Sequence, residues 1–269
     1  MPKVSVIVPS YNLGRFLPET LQSLVNQSYS DWECIIVDNG STDNSLELAS
    51  EFVSSDSRFR LENMKTNAGV AAARNRGIEL AVGEYLLFLD ADDLLATHYM
   101  GDAVAALDAD PSLAVVYGRA LRFGAQKKWD IPEFSMDTML ASNCLYISCF
   151  IRARMLSGAR FDSSFTAGLE DWDFWLSYLG SIDNPKVLCL PSVCFYYRTR
   201  RHSRNRGVSD EALKSIRRSL WEKHKDLYAK YFCDPLQTIE YRRLHTSFVK
   251  ASKWSLAWKL RLLYRKICR

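Results

Sequence analysis

The stretch Glu84-Tyr85-Leu86-Leu87-Phe88-Leu89-Asp90-Ala91-Asp92-Asp93 is an apolar run of strand length that stops on three carboxylates within four positions. Such a run reads as a buried strand, Tyr85 to Leu89. Strand side chains repeat with period two, so Asp90 and Asp92 fall on one face at its carboxyl end. Open α/β sheets bind their ligands at that end. A hard cation such as Mg²⁺ or Mn²⁺ takes a few carboxylate oxygens there and completes its shell with water and phosphate, which suits a site built to hold a diphosphate. The plainer alternative is an N-cap, with Asp92 or Asp93 opening a helix at Leu94.

Upstream of this strand the pattern alternates. Val4 to Val8 reads as strand, Phe16 to Asn26 as helix, Glu33 to Val37 as strand, Ser45 to Ser54 as helix and Arg60 to Glu62 as a short strand. Ala71 to Ala81 reads as the helix leading into the acidic strand. This alternation predicts a parallel sheet with helices on both faces. Asp43 ahead of Ser45 and Asn67-Ala68-Gly69 ahead of the Ala-rich run supply capping turns. Downstream, residues 97 to 116 read as helix and strand, and residues 119 to 145 lose periodicity and read as a mobile loop. Order resumes with Leu145 to Ile151, a helix over Asp171 to Leu179 and a strand over Val187 to Tyr197. From Ser209 onward the chain is helical in composition and basic.

Two further polar loops follow the first two strands: Pro9-Ser10-Tyr11-Asn12 and Asp38-Asn39-Gly40-Ser41-Thr42-Asp43. Adjacent strand ends in a parallel sheet form a crevice. There an Asp can accept from a base or ribose, Tyr11 can stack and Gly40 permits a tight turn. Each loop alone is ordinary turn chemistry. With Asn67 to Asn75 and the acidic strand end they make a four-part set in fixed order.

That set, with Ile36-Val37 ahead of Asp38 and the run from Asn67 to Gly77, resembles the nucleotide-sugar half of the family 2 inverting glycosyltransferases. The resemblance spans roughly residues 3 to 205 and implies the GT-A fold: a Rossmann-like, mostly parallel α/β sheet flanked by helices. It implies that Pro9, Tyr11, Asp38 and Arg74 line a uridine pocket, that Asp90 lies near the ribose and that Asp92 ligates Mg²⁺ or Mn²⁺ bridging the diphosphate. Asn39 departs from the pattern, standing where many relatives carry a second Asp on the nucleotide side.

Gly168-Leu169-Glu170-Asp171-Trp172-Asp173-Phe174-Trp175 is similar to the acidic motif that opens a helix in the same family. An inverting transfer needs one carboxylate to take the acceptor hydroxyl's proton on the face opposite the leaving group, and Asp171 is the candidate. First-turn acids also suit the helix dipole with no catalytic role. Trp172 and Trp175 read most simply as core. The run from Arg198 to Arg206 holds five arginines and His202. It resembles a loop that closes over the diphosphate in relatives, with Arg198, His202 and Ser203 the closest matches; fixed cations there would oppose the charge of a departing nucleoside diphosphate. The aromatic interleaving of a nucleic-acid surface is missing, so no nucleic-acid partner is expected.

The composition fits one α/β domain and a smaller appendage. The domains expected are residues 1–205, divided at 118 into nucleotide-sugar and acceptor halves, and a basic helical region over 206–269. Seven cysteines show no Cys-x-x-Cys pair, and an odd count argues against a closed disulfide framework, which favours reduced thiols in a cytosolic protein. No signal peptide is visible and no run approaches the ~18 uninterrupted apolar residues of a membrane span. With the absence of a Gln-x-x-Arg-Trp motif, this disfavours a processive synthase.

The formal charge of +4 conceals an asymmetry. After Glu240 there are nine bases and no acid. Leu256, Leu260, Leu263 and Ile267 form one helical stripe there, with Trp254 and Trp258 among the bases. Such a helix either lies in an anionic membrane interface or docks its stripe on the catalytic domain.

The activity expected is transfer from a UDP-sugar to a glycan or lipid-linked hydroxyl in cell-surface polysaccharide biosynthesis, at the cytosolic face of the membrane. Two rivals are transfer to a polyprenyl phosphate, which is already ionised and needs no base, and a non-catalytic sugar-nucleotide-binding scaffold.

Overall fold

The computed structural model describes residues 1–124, 131–166, 168–200 and 209–231. The chain divides into two compact units, Met1–Lys223 and His224–Arg269.

The first unit is built on an eight-stranded sheet. Its nucleotide side holds β1 (Val4–Ser10), β2 (Trp32–Asp38), β3 (Phe59–Asn63) and β4 (Tyr85–Phe88). These pair in parallel in the order β3-β2-β1-β4. Every residue of β1, β2 and β4 is buried, as strands covered on both faces must be. One charge inside β2 is compensated: Glu33 accepts from the Ser5 hydroxyl at 2.6 Å, from Arg60 at 3.2 Å and from the Val82 amide at 3.1 Å.

Crossover helices cover this half: α1 (Leu17–Val25), α2 (Ser45–Ser55) and α3 (Val70–Leu80). Leu17, Leu21 and Leu24 recur at spacings of four and three, so α1 buries one stripe fully. Each such side chain contributes about 1.5–3 kcal/mol relative to exposure. Gly77 lets α3 lie directly on β1, since a Cβ there would meet Ile7 Cγ2 at 2.2 Å.

The acidic strand end does not cap a helix. The chain instead forms β5 (Leu94–Leu95), and the next helix, α4 (Tyr99–Ala109), starts later. This removes the N-cap account of Asp92 and Asp93.

The acceptor side differs from expectation in two respects. First, the sheet is mixed: β7 (Phe150–Arg152) is antiparallel to both β4 and β6 (Leu113–Gly124). Second, the segment read as a mobile loop from residue 119 is still β6 as far as Gly124, and later includes α5 (Met136–Ala141), capped by the Ser135 hydroxyl accepting from the Thr138 amide. β6 persists because it pairs in parallel, through several bulges, with β8 (Lys186–Thr199). β8 also pairs antiparallel with β5 and so closes onto the acidic loop.

The remaining helices are α6 (Glu170–Gly180) and α7 (Asp210–Lys223), so the first unit extends past residue 205. Trp172 and Trp175 are core residues, 5% and 0% exposed. In the second unit only α8 (Lys225–Tyr231) lies among the described residues. The basic stripe from Leu256 to Ile267 and its two tryptophans lie outside them. Among the described residues no helix is long and apolar enough to cross a membrane, and Cys34, Cys144, Cys149, Cys189 and Cys194 are free thiols.

Candidate active site

Four loops converge at the carboxyl ends of β1, β2 and β4 and ahead of α3. Asn12 Oδ1 accepts from the Thr42 amide at 2.8 Å, Ser45 Oγ accepts from the Leu13 amide and Asp43 Oδ2 from the Gly14 amide, both at 3.0 Å. Asp38 Oδ1 accepts from the Gly40 and Ser41 amides and so forms the turn after β2. Gly40 is required there: its φ is +75°, and a Cβ would lie 2.8 Å from the Thr66 backbone. Asn39 ties this turn to the α3 loop, donating to Asn67 Oδ1 and accepting from the Ala68 amide, each at 2.9 Å. A carboxylate at that position could accept but not donate.

Between these loops and the acidic strand end lies a cleft of about 470 Å³. Pro9, Tyr11, Asn39, Arg74, Asp90 and Asp92 are among its walls, and Tyr11 is 42% exposed into solvent. Asp38, which the resemblance assigned to this pocket, is buried in the turn, and Asn39 is the residue of that loop facing the cleft.

A second cleft, about 420 Å³, adjoins the first and shares Arg74, Asp90 and Tyr197 with it. Asp171 lies in its wall with Asn143, Arg122, Tyr146 and Phe195. Both carboxylate oxygens of Asp171 are fixed: Oδ1 accepts from the Trp172 amide at 2.8 Å and Oδ2 from Asn143 Nδ2 at 3.0 Å. Leu169, at φ +65°, makes the left-handed turn that starts α6 and aims the acids at the cleft. That conformation is uncommon for a residue with a Cβ and is held by the surrounding structure.

The two clefts are joined by one ion group and one aromatic group. Arg74, 2% exposed, donates to Asp90 at 2.7 Å and to Glu170 at 3.2 Å, spanning from α3 to the acidic loop and α6. Behind it Phe161 stacks on Phe174 at 4.2 Å, and Phe88 packs edge-on against both. Phe88 precedes Asp90 by two residues and Phe174 follows Asp171 by three, so this contact fixes the two acidic motifs relative to each other. Lys223 of α7 adds a second brace, pairing with the buried Asp173 at 2.8 Å and with Asp162 at 2.7 Å.

Burial pushes the Asp171 carboxyl up to about 6, the neighbouring Glu170 charge adds to this, and Arg74 opposes it. The Asp92 carboxyl is likewise pushed up to about 6, by burial and then by Asp90, against Arg200 and Arg198. A carboxyl tuned towards neutrality and facing a cleft is suited to accepting a proton, and a crowded acidic pair is suited to receiving a cation.

Arg198 and Arg200 alternate at the end of β8, and they differ. Arg198 is fastened: its amide donates to Asp93 Oδ1 and its Nε to the Asp92 carbonyl, both at 2.7 Å, while Nη2 reaches Glu19 at 2.5 Å. It lines neither cleft. Arg200 lines the first and meets Asp92 Oδ2 at 2.8 Å. His202 and Ser203 lie outside the described residues. Sequence reading gave Asn143 and Tyr197 no role and included Arg200 only as part of the Arg198 to His202 loop. Only Arg200 carried a signal, its period-two spacing from Arg198.

This arrangement, parallel strands whose carboxyl ends make a nucleotide-sized cleft beside a second cleft with a carboxylate-led helix, is the GT-A fold. The family model for glycosyl transferase family 2 matches residues 5–165, more than half the sequence. The chain belongs to that family. An uncharacterized glycosyltransferase of Haemophilus influenzae is 46% identical over 96 residues, covering 36% of this chain and 38% of the relative. A PGL/p-HBAD biosynthesis glycosyltransferase of Mycobacterium tuberculosis is 34% identical over 179 residues, covering 64% of this chain and 68% of the relative. The chain thus spans well under half of the Haemophilus relative, and 31% of glycosyltransferase GlyG of Streptococcus pneumoniae. Among solved structures, S. aureus TarS in complex with UDP-GlcNAc superposes with a TM-score of 0.69 at 19% identity, over 85% of this chain and 73% of that one. Mannosyltransferase PcManGT of Pyrobaculum calidifontis, in complex with GDP-Man and Mn²⁺, gives 0.57 at 21% identity, over 87% and 65%.

Proposed function

We propose that the chain transfers a sugar from a UDP-sugar, with inversion, to a hydroxyl of a glycan or lipid-linked acceptor in cell-surface polysaccharide synthesis at the cytosolic face of the membrane. The observation carrying this reading is the pair of clefts meeting at Arg74, Asp90 and Tyr197, with Asp92 in one wall and Asp171 in the other. The nucleotide would occupy the first cleft, Tyr11 against its base. The acceptor would enter the second.

In the reaction the acceptor oxygen attacks the anomeric carbon while the bond from that carbon to the diphosphate oxygen breaks, and UDP leaves with the electron pair. Asp171 takes the acceptor's proton, held in place by Asn143 and the Trp172 amide. Arg200, in the wall of the nucleotide cleft, supplies a cation beside the diphosphate.

The donor set also fits a divalent ion. Among the described residues there is no cluster of three or more metal-ligating side chains. Mg²⁺ and Mn²⁺ in phosphate sites, however, need only one or two carboxylates beside the phosphate oxygens. Asp92, with its ionisation opposed by burial and by Asp90, is the carboxylate a cation would relieve. When bound, the ion would neutralise charge on the departing diphosphate.

Transfer to a polyprenyl phosphate is the weaker reading, because an anionic acceptor would approach Glu170 and Asp171 together. Calorimetric titration of UDP and GDP with Mn²⁺ or with EDTA tests the donor assignment. The expected result is Mn²⁺-dependent UDP binding that Asp92→Ala abolishes. Equal UDP affinity with Mn²⁺ and with EDTA, or a preference for GDP, contradicts it.

A further inference from the structure

Arg200 meets Asp92 Oδ2 through Nε at 2.8 Å, and its side chain stays 34% exposed. Among the described residues Asp92 is its one ion-pair partner, and the ring of Phe16 lies 5.6 Å from its guanidinium carbon. Its neighbour along the strand is locked by contrast. Arg198 joins Glu19, the Asp92 carbonyl and Asp93, and sits over both Phe16 and Phe123, at 5.0 and 4.4 Å. One arginine therefore fastens β8 to the acidic loop. The other is a cation on a flexible stem, ion-paired with the carboxylate that would hold a divalent ion.

A guanidinium and a divalent cation cannot both hold Asp92 as their main counter-charge. A nucleoside diphosphate changes that competition, because it brings phosphate oxygens that a guanidinium binds in a bidentate fork. Building on the donor assignment above, we propose that Arg200 is an exchangeable counter-cation of Asp92: it competes with free divalent metal for this carboxylate and passes to the diphosphate when metal and nucleotide enter together. The site would thereby take up metal as a metal–nucleotide pair and discriminate against metal alone. Arg200 becomes a determinant of binding order as well as a ligand of the donor.

The test is titration of nucleotide-free protein with Mn²⁺, following the free-ion electron paramagnetic resonance signal, and its repetition at saturating UDP. Arg200→Met removes the competitor and keeps much of the stem. It should tighten Mn²⁺ alone by up to about fivefold, the upper range for removing a partly exposed ion pair, and weaken UDP in the presence of Mn²⁺ by a similar factor. Arg200→Lys should fall between, since a point charge keeps the competition and loses the fork. Arg198→Met is the control and should not tighten Mn²⁺. Far-ultraviolet circular dichroism and the melting temperature establish that each variant is folded. If wild-type protein binds UDP with Mn²⁺ but Arg200→Met leaves the affinity for Mn²⁺ alone unchanged or weaker, the exchange is overturned and the donor assignment stands. If wild-type protein takes no UDP with Mn²⁺, both fall.

Discussion

The nucleotide side and the acceptor side of this molecule reach the same end, a carboxylate facing a cleft, by different means. On the nucleotide side β1 to β4 are joined by crossover helices, and the ligand loops are contiguous sequence at strand ends. On the acceptor side β6 finds β8 about seventy residues later, through bulges, with β7 antiparallel between β6 and β4. Its key carboxylate stands at a helix start set by a left-handed turn. Local motifs suffice to place a group that binds a rigid nucleotide. Placing the Asp171 carboxylate against the second cleft takes long-range contacts, here the Arg74 ion group and the Phe88–Phe161–Phe174 cluster.

The largest effect should follow from cutting that link. Arg74→Met removes the cation paired with Glu170, itself 3% exposed, and should cost about 3–5 kcal/mol in urea unfolding, as loss of one partner of a buried ion pair does. Arg76→Met, on the same helix with the half-buried Glu62 and the exposed Glu79 as partners, should cost far less. Similar costs for both would show that the two sides are not coupled through Arg74.

A smaller effect sharpens the contrast in charge. The Asp171 carboxyl is raised to about 6, above its unfolded value, so the folded chain keeps a proton there that the unfolded chain has lost. Its contribution to stability is complete below about pH 4 and is lost as pH rises through about 6. Asp171→Asn removes this slope. Relative to wild type, the variant should gain on the order of 2 kcal/mol in going from pH 4 to pH 7, and the difference cancels the shared titration of Asp92. A flat difference across that window would mean that Asp171 is not desolvated.

How much of this was legible in the sequence follows the same division. The four parallel strands and α1 to α3 were expected within a residue or two of where they lie, because each carries its own periodicity and its own cap or turn. The acidic strand end could be singled out only in company with the three polar loops, because an Asp-x-Asp alone reads as readily as a helix cap. The course of β6 beyond residue 118 was not, since its pairing with β8 leaves no mark within a local window and its outer half is only partly buried. The roles of Arg198 and Arg200 could not be separated by residue type, and the structure separates them by the partners each meets. Asn143 gave no signal, being a polar residue in an aperiodic stretch whose importance lies wholly in reaching Asp171.

The central claim is that donor binding and proton removal belong to different carboxylates, Asp92 and Asp171. It is tested most directly by measuring, on Asp171→Asn, both Mn²⁺-dependent UDP-sugar affinity and turnover to a hydroxyl acceptor. Affinity within about twofold of wild type with turnover lower by about 10²- to 10⁴-fold is the predicted result, the usual worth of a general base. Near-full turnover in that variant would contradict it.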